Sequence, residues 1–254
     1  MGELRQRGGE RSEGNEVDAG TRELNVPALQ QLGPVNFFAI KQDVEAFEAI
    51  TGIETSNSYQ VVAIKDSRVL FGPLAAQESS NFLARQCCGN RRPWTIRIGG
   101  QAMLLFERPF RILKMPEVQV YSSTDTTRLG SVRRQWRGWP FQRNFLLMNH
   151  NDEPVLELTC PFLSWGHNFT LRDLDGNELG SGAELGSISK TWPQNLKDVL
   201  RECFTDADNF IAAFPEDLPT QFKALVLGAV FLIDFCFFED NEVQRKARER
   251  RGRR

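Results

Sequence analysis

Histidine is nearly missing from this 254-residue chain: His150 and His167 are the only two. The five cysteines, Cys87, Cys88, Cys160, Cys203 and Cys236, include no CxxC pair. Without histidines at ligand spacing or paired thiols, neither a zinc site nor a disulfide framework is expected, and a reducing compartment follows. The chain has no glycine-rich phosphate loop and no nucleophile with a histidine near it, so nothing supports covalent catalysis. Residues 1–14, MGELRQRGGERSEG, contain no apolar core of the secretory kind, so no signal peptide is expected. Without one, the glycosylation triplet at Asn168 is read as chance. Gly2 follows Met1, but Gln6 stands where myristoylation wants Ser or Thr.

What is present is ordinary in bulk and uneven in detail. Hydrophobic residues make up 41% and charged residues 25%, near globular averages, but there are 19 Phe against two Tyr. The length allows one large domain or two small ones, and a single compact domain with loose ends is expected. Residues 1–25 carry four Arg against six acidic residues and almost no core-forming side chains, so they are read as disordered. Residues 241–254, NEVQRKARERRGRR, carry seven basic residues against two Glu, a block that favours anionic lipid or nucleic acid.

From Val26 the hydrophobic pattern becomes regular. VNFFAIKQDVEAFEAITGIE mixes the two periods and predicts a short strand followed by a helix. Between Tyr59 and Trp192 the period is mostly two, with Asp66-Ser67, Gly99-Gly100, Asn151-Asp152 and Asp175-Gly176 where hairpins would reverse. This predicts an antiparallel meander of eight or more strands. After Trp192, Leu196, Val199, Leu200 and Cys203 follow helical spacing. Asp217 and Pro219 then suit the opening of a last helix, the carboxylate as its cap.

That last helix holds ALVLGAVFLIDFCFFED, residues 224–240, the most apolar run in the chain. A bilayer span needs roughly 20 apolar residues, about 30 Å at ~1.5 Å each. Here residues 224–238 are interrupted by Asp234, whose charge adds about 2.5 to 3.5 kcal/mol to insertion. A helix apolar on every face belongs either in lipid or at the centre of a fold. A closed sheet of a dozen strands would supply that centre, with Gly228 and Ala229 allowing close approach to its wall. Enclosed in this way, Asp234 must meet a hydrogen-bond donor.

Several segments resemble the phospholipid scramblase family, in family order over roughly residues 26–240. They are ITGIETSNSY at 50–59, CCGNRRPWTIRI at 87–98, ERPFR at 107–111, GSISKTW at 186–192, and FTDADNFIAAFPEDL at 204–218 followed by KALVLGAVFLIDFCFFE at 223–239. The resemblance implies a tubby-like fold: mainly β, a closed antiparallel barrel of about 12 strands around a C-terminal hydrophobic helix, here 220–239. It implies Ca²⁺-stimulated, ATP-independent, bidirectional movement of phospholipids between leaflets. The alternative is a non-transporting tubby-like module that binds anionic lipid or protein. A membrane-associated protein, at the plasma membrane from the cytoplasmic side, is the implied location.

The resemblance also implies a metal set in DADNFIAAFPED: Asp206, Asp208, Phe210, Ala212, Phe214 and Asp217. Only three of these offer carboxylates, so weak Ca²⁺ binding is expected, on the order of 10⁻⁴ to 10⁻³ M. Capping remains the other reading: Thr205 with Asp206 and Asp208 in a first helical turn, and Asp217 capping the next helix. Relatives carry palmitoylated cysteines after ERPFR; here ILKMPEVQV has none, leaving Cys87 and Cys88 as candidate acylation sites, with a buried or merely free thiol pair as the other reading. The proline-rich N-terminal region of relatives has no counterpart before Pro27. GSISKTW matches a nuclear-import element of some relatives, with Lys190 its only cation.

Candidate lipid contacts are Arg133, Arg134, Trp136, Arg137 and Trp139 in RRQWRGWPFQR, and Arg245, Lys246, Arg248, Arg250 and Arg251 in the tail. Mixed basic and aromatic side chains suit a headgroup interface. More often such a stretch is a hairpin with its aromatics in the core and its arginines in water. Phospholipid membrane and anionic lipid are the expected partners, and nucleic acid is not expected.

Overall fold

The computed structural model describes residues 24, 26–43, 56–88, 91–99, 103–111, 114–137, 142–160, 168–174, 182–190, 194–203 and 209–238. The expected disorder over most of 1–25, the helix expected after the first strand, within 44–55, and the basic tail fall outside them.

Among the described residues there are twelve strands, where the alternating pattern predicts eight or more. They are β1 (Phe37–Asp43), β2 (Ser58–Lys65), β3 (Arg68–Ser79), β4 (Trp94–Ile98), β5 (Leu104–Arg108), β6 (Glu117–Ser122), β7 (Arg128–Arg137), β8 (Gln142–Met148), β9 (Pro154–Cys160), β10 (Asn168–Asp173), β11 (Glu184–Ser189) and β12 (Asn209–Ala213). Each is antiparallel to its neighbour in sequence, and β1 closes the barrel on β12. Turn chemistry sets the reversals. Asp66 and Ser67 both hold positive φ, 51° and 85°, as a two-residue primed turn requires. At the β8–β9 turn the Asn149 side chain accepts the N–H groups of Asn151 and Glu153, each at 2.9 Å.

The lumen is filled by the terminal helix. Three helices occur among the described residues: α1 (Phe82–Cys88), α2 (Lys197–Cys203) and α3 (Thr220–Phe237). α3 has 18 residues, of which 15, Gln221 to Phe235, are buried. Its length and composition also meet the minimum for a membrane span. Its surroundings decide otherwise: Phe106, Val120, Val132, Phe145 and Leu158 point inward from β5 to β9 and share one core with Leu225 to Phe235. Each such side chain contributes about 1.5 to 3 kcal/mol when taken out of water. A cylinder apolar all round needs a wall all round, which only a closed sheet provides. Gly228 marks the closest approach. A Cβ there would lie 3.0 Å from Val120 Cγ2 and 3.2 Å from Phe106 Cδ1.

Asp234 meets the donor that enclosure demands: the Tyr59 hydroxyl donates to its Oδ2 at 2.9 Å. At the opposite end of the helix, the buried Lys223 ammonium donates to the carbonyls of Leu32 (3.1 Å), Gly33 (2.5 Å) and Glu216 (2.7 Å). These bonds tie α3 to a 3-10 turn, Pro27–Leu32, which places Leu29 and Leu32 in the core. Leu24 also packs against that core, so the domain begins slightly before residue 26. The capping expectation for Asp217 is corrected. Pro219 occupies the N-cap with no side-chain bond, its carbonyl accepts from the N–H groups of Phe222 and Lys223, and Asp217 stays exposed on the preceding turn.

α2 follows a 3-10 turn at Gln194–Leu196 and lies outside the barrel. Leu196 packs there with Ala39, Val62, Ile64 and Ile211, the outward residues of β1, β2 and β12.

Candidate functional site: the barrel mouth where the central helix ends

In an antiparallel meander the odd strands end where the even strands begin. One mouth therefore gathers the ends of β1, β3, β5, β7, β9 and β11 with the starts of the other six. α3 points its C-terminus at that mouth, because Phe235 stacks on Trp94 at the start of β4 (4.7 Å) and Phe238 meets Phe210 at the start of β12 (5.3 Å). Residues far apart in sequence converge there.

Cations cover the aromatic rings at the end of the helix. The Arg92 guanidinium lies 5.0 Å from the Phe235 ring. Arg134 of β7 and Arg143 of β8, diagonal to each other in the register, both lie over Phe237 at 4.9 and 4.5 Å. Lys190 sits 4.1 Å from the Phe238 ring and 4.7 Å from Phe210. Two physical terms favour this arrangement: the ring faces are electron-rich, and the C-terminus of a helix carries partial negative charge. Arg92 is fully buried and pairs with the equally buried Glu78 at 2.8 and 3.0 Å, while Glu78 also accepts the Asn57 N–H at 2.9 Å.

The strand period divides the Arg/Trp stretch. Arg134 turns into the mouth, whereas Arg133 turns outward, its side chain 42% exposed and held 3.2 Å from the buried carboxylate of Glu117. Arg111 reaches the same carboxylate at 2.6 Å. Trp136 and Arg137 occupy the end of β7, at this mouth, but their side chains lie outside the described residues. Trp139 and the tail residues Arg245, Lys246, Arg248, Arg250 and Arg251 lie outside them entirely. Cys88 is half-buried in α1 as a free thiol, and the side chain of Cys87 lies outside the described set.

Four of the six residues of the expected calcium set are described, and three of them lie in or just after a strand. Asp206 and Asp208 lie outside the described residues, but Asp208 is bonded to Asn209, which opens β12 at this mouth. Phe210 and Ala212 lie within β12, whose backbone pairs with β1 on one side and, over 211–213, with β11 on the other. Phe214 follows the strand, buried, and its N–H donates to the Asn36 carbonyl. Asp217 is at the other mouth. A five-residue strand at ~3.3 Å per residue holds Asn209 and Ala213 about 13 Å apart. A single ion with ligands at about 2.3 to 2.6 Å that drew on both Phe210 and Asp217 would have to bridge most of the strand's length, while the carboxylates of Asp206 and Asp208 lie outside the described residues. Among the described residues no group of three His, Cys, Asp or Glu stands ready to hold a metal.

A family model described as Scramblase matches residues 19–240. The chain belongs to the scramblase family. It is 34% identical over 231 residues to phospholipid scramblase 1 of Homo sapiens, covering 86% of this chain and 68% of that protein. It is 35% identical over 234 residues to phospholipid scramblase 1 of Mus musculus, covering 86% and 66%. Phospholipid scramblase family member 5 of Homo sapiens is 32% identical over 222 residues, covering 84% and 78%. This scramblase-family chain thus spans about two thirds of the length of the first two relatives. No solved structure matches it significantly.

Glu78 and Arg92 were not singled out in the sequence, whereas Arg143 closes the basic and aromatic stretch RRQWRGWPFQR that was.

Proposed function

We propose that this chain moves phospholipids between the leaflets of a bilayer in both directions, without ATP and without covalent chemistry. Membership of the scramblase family carries the reading. The cation-covered mouth supports it, because Arg134, Arg143 and Lys190 are disposed about the end of an apolar helix from which the basic tail continues. Such a surface suits anionic headgroups of a membrane, with the cytoplasmic leaflet of the plasma membrane as the proposed place of action. Calcium stimulation is proposed only through carboxylates near Asp206 and Asp208, since the strand takes the middle of the segment.

The test is reconstitution of the full chain into liposomes with a labelled phospholipid and a membrane-impermeant quencher. Quenching of inner-leaflet label at a rate proportional to protein, raised by Ca²⁺ and lowered by Asp208→Ala, is expected. Labelled lipid that stays in the inner leaflet at every protein concentration contradicts the reading.

One observation favours a second function. The enclosure of α3 from Gln221 to Phe235 leaves no apolar helix face for lipid along that length, as suits a barrel that docks anionic lipid without moving it. Vesicle binding with no change in leaflet exchange would establish that alternative.

A further inference from the structure

Large apolar side chains exposed to water are few in this protein. Five occur among the described residues: Val69, Leu70, Phe82, Leu83 and Phe110. Val69 and Leu70 lie at the start of β3, the mouth where α3 begins. The other three lie at the mouth where α3 ends. Phe82 (52% exposed) and Leu83 (68%) open α1 just beyond the end of β3, and Phe110 (50%) lies two residues beyond β5. Scattered apolar residues need no explanation, but three that converge from separate connections on one rim do.

Between those connections lies an open cleft of about 550 Å³. Ser79, Asn81, Thr95, Glu107 and Arg108 bring hydroxyl, amide, carboxylate and guanidinium groups to its lining. Its lining also includes Trp94, which is 2% exposed and stacked on Phe235, and whose indole N–H is buried with no acceptor. Asn81 leads into Phe82 and Pro109 into Phe110, so the polar cleft and the apolar rim are continuous. Exposed Arg91 and Lys114 stand on the connections entering β4 and β6 at the same mouth.

An apolar rim, a cleft lined with both charges and an outer set of cations match the layers of a bilayer surface: acyl boundary, headgroup and anionic interface. We infer that this rim is the membrane-docking face. Phe82, Leu83 and Phe110 enter the acyl boundary, and a phospholipid headgroup occupies the cleft, its phosphate toward Arg108 and any amine toward Glu107. The inference deepens the proposed function and rests on it for the choice of a lipid surface over a protein partner. It also gives an orientation, with the end of α3 facing the bilayer and the Lys223 end facing away.

The test uses the full chain and vesicles of phosphatidylserine and phosphatidylcholine, with binding read by co-sedimentation. Removing one apolar side chain of this size from a membrane interface is expected to lower the partition coefficient about tenfold. Phe110→Asp and Leu83→Asp should each do so, whereas Leu70→Asp, at the opposite mouth, should not. All three substitutions are at exposed sites, and unchanged thermal melting will show that they fold. Equal loss in all three variants, or no loss in the rim variants, overturns the inference. Inorganic phosphate at millimolar concentration should not displace the protein from vesicles; displacement would mean a site for free phosphate and would also overturn it. Leaflet exchange separates the two claims. Rim-dependent binding without exchange leaves the docking face intact and removes the transport reading, and full exchange by the rim variants does the reverse.

Discussion

Replacing Tyr59 by Phe isolates the contact that makes an acidic residue tolerable inside the barrel. Tyr59 is 2% exposed, its ring meets the edge of Phe231 at 5.1 Å, and its hydroxyl donates to Asp234 at 2.9 Å. Phenylalanine keeps the ring and its packing, so neither a cavity nor a clash is introduced. What is lost is one donor to a carboxylate that is itself 2% exposed. Net contributions of such bonds run from about 1 kcal/mol for a neutral pair to about 3 for a charged one. For a domain of this size each kcal/mol corresponds to roughly 2 to 4 °C of melting temperature. Thermal unfolding followed by far-ultraviolet circular dichroism, without detergent, should therefore show Tyr59→Phe melting several degrees below the parent. The Tyr59→Phe, Asp234→Leu double variant should be less destabilised than the sum of its parts, because neither group is then left behind. An unchanged melting temperature for Tyr59→Phe, with strictly additive behaviour in the double variant, would refute the placement of Asp234 against β2.

Three further substitutions probe other parts of the same enclosure. Arg92→Met strands the buried Glu78 carboxylate and uncovers Phe235, so urea unfolding should report a loss of about 3 to 5 kcal/mol. Gly228→Val forces carbon into the 3.0 Å gap at Val120, and despite its better helix propensity it should lose about 1 to 3 kcal/mol in the same assay. Lys223→Met withdraws the ammonium from three carbonyls, of which that of Leu32 keeps another donor, the Val35 N–H, so it should cost at least about 2 kcal/mol. Limited proteolysis of that variant should begin near Leu32 and Gly33.

The barrel was legible in the sequence because a sheet with one face buried and one face in water imposes a period of two, and from Tyr59 onward that period is plain. Asp66-Ser67 and Asn151-Asp152 marked true reversals for the same local reason. β12 was not legible. NFIAA is short and buried on both faces, since Phe210 and Ala212 face the lumen while Ile211 faces Leu196 of the turn before α2, so it shows no alternation. The flanking acidic residues then made it read as a loop. The central helix was ambiguous by composition alone. Asp234 was the residue that argued for enclosure, and it has its partner.

The candidate site was legible only in pieces. Arg134 was chosen for its charge and aromatic neighbours, but its position over Phe237 depends on β7, β8 and α3 meeting at one mouth, a long-range relation no local pattern encodes. Arg133, next in sequence, serves Glu117 on the outer wall instead. The Glu78–Arg92 pair was invisible for a similar reason, because each looks like an ordinary surface charge until the barrel closes over both.

The central claim is that the apolar terminal helix is solvated by the protein's own sheet. Its most direct test is size-exclusion chromatography with light scattering on the full chain, 28.9 kDa, extracted and purified without detergent. The account predicts a monodisperse, folded species. Recovery only in detergent, or only as heterogeneous aggregate, would contradict it.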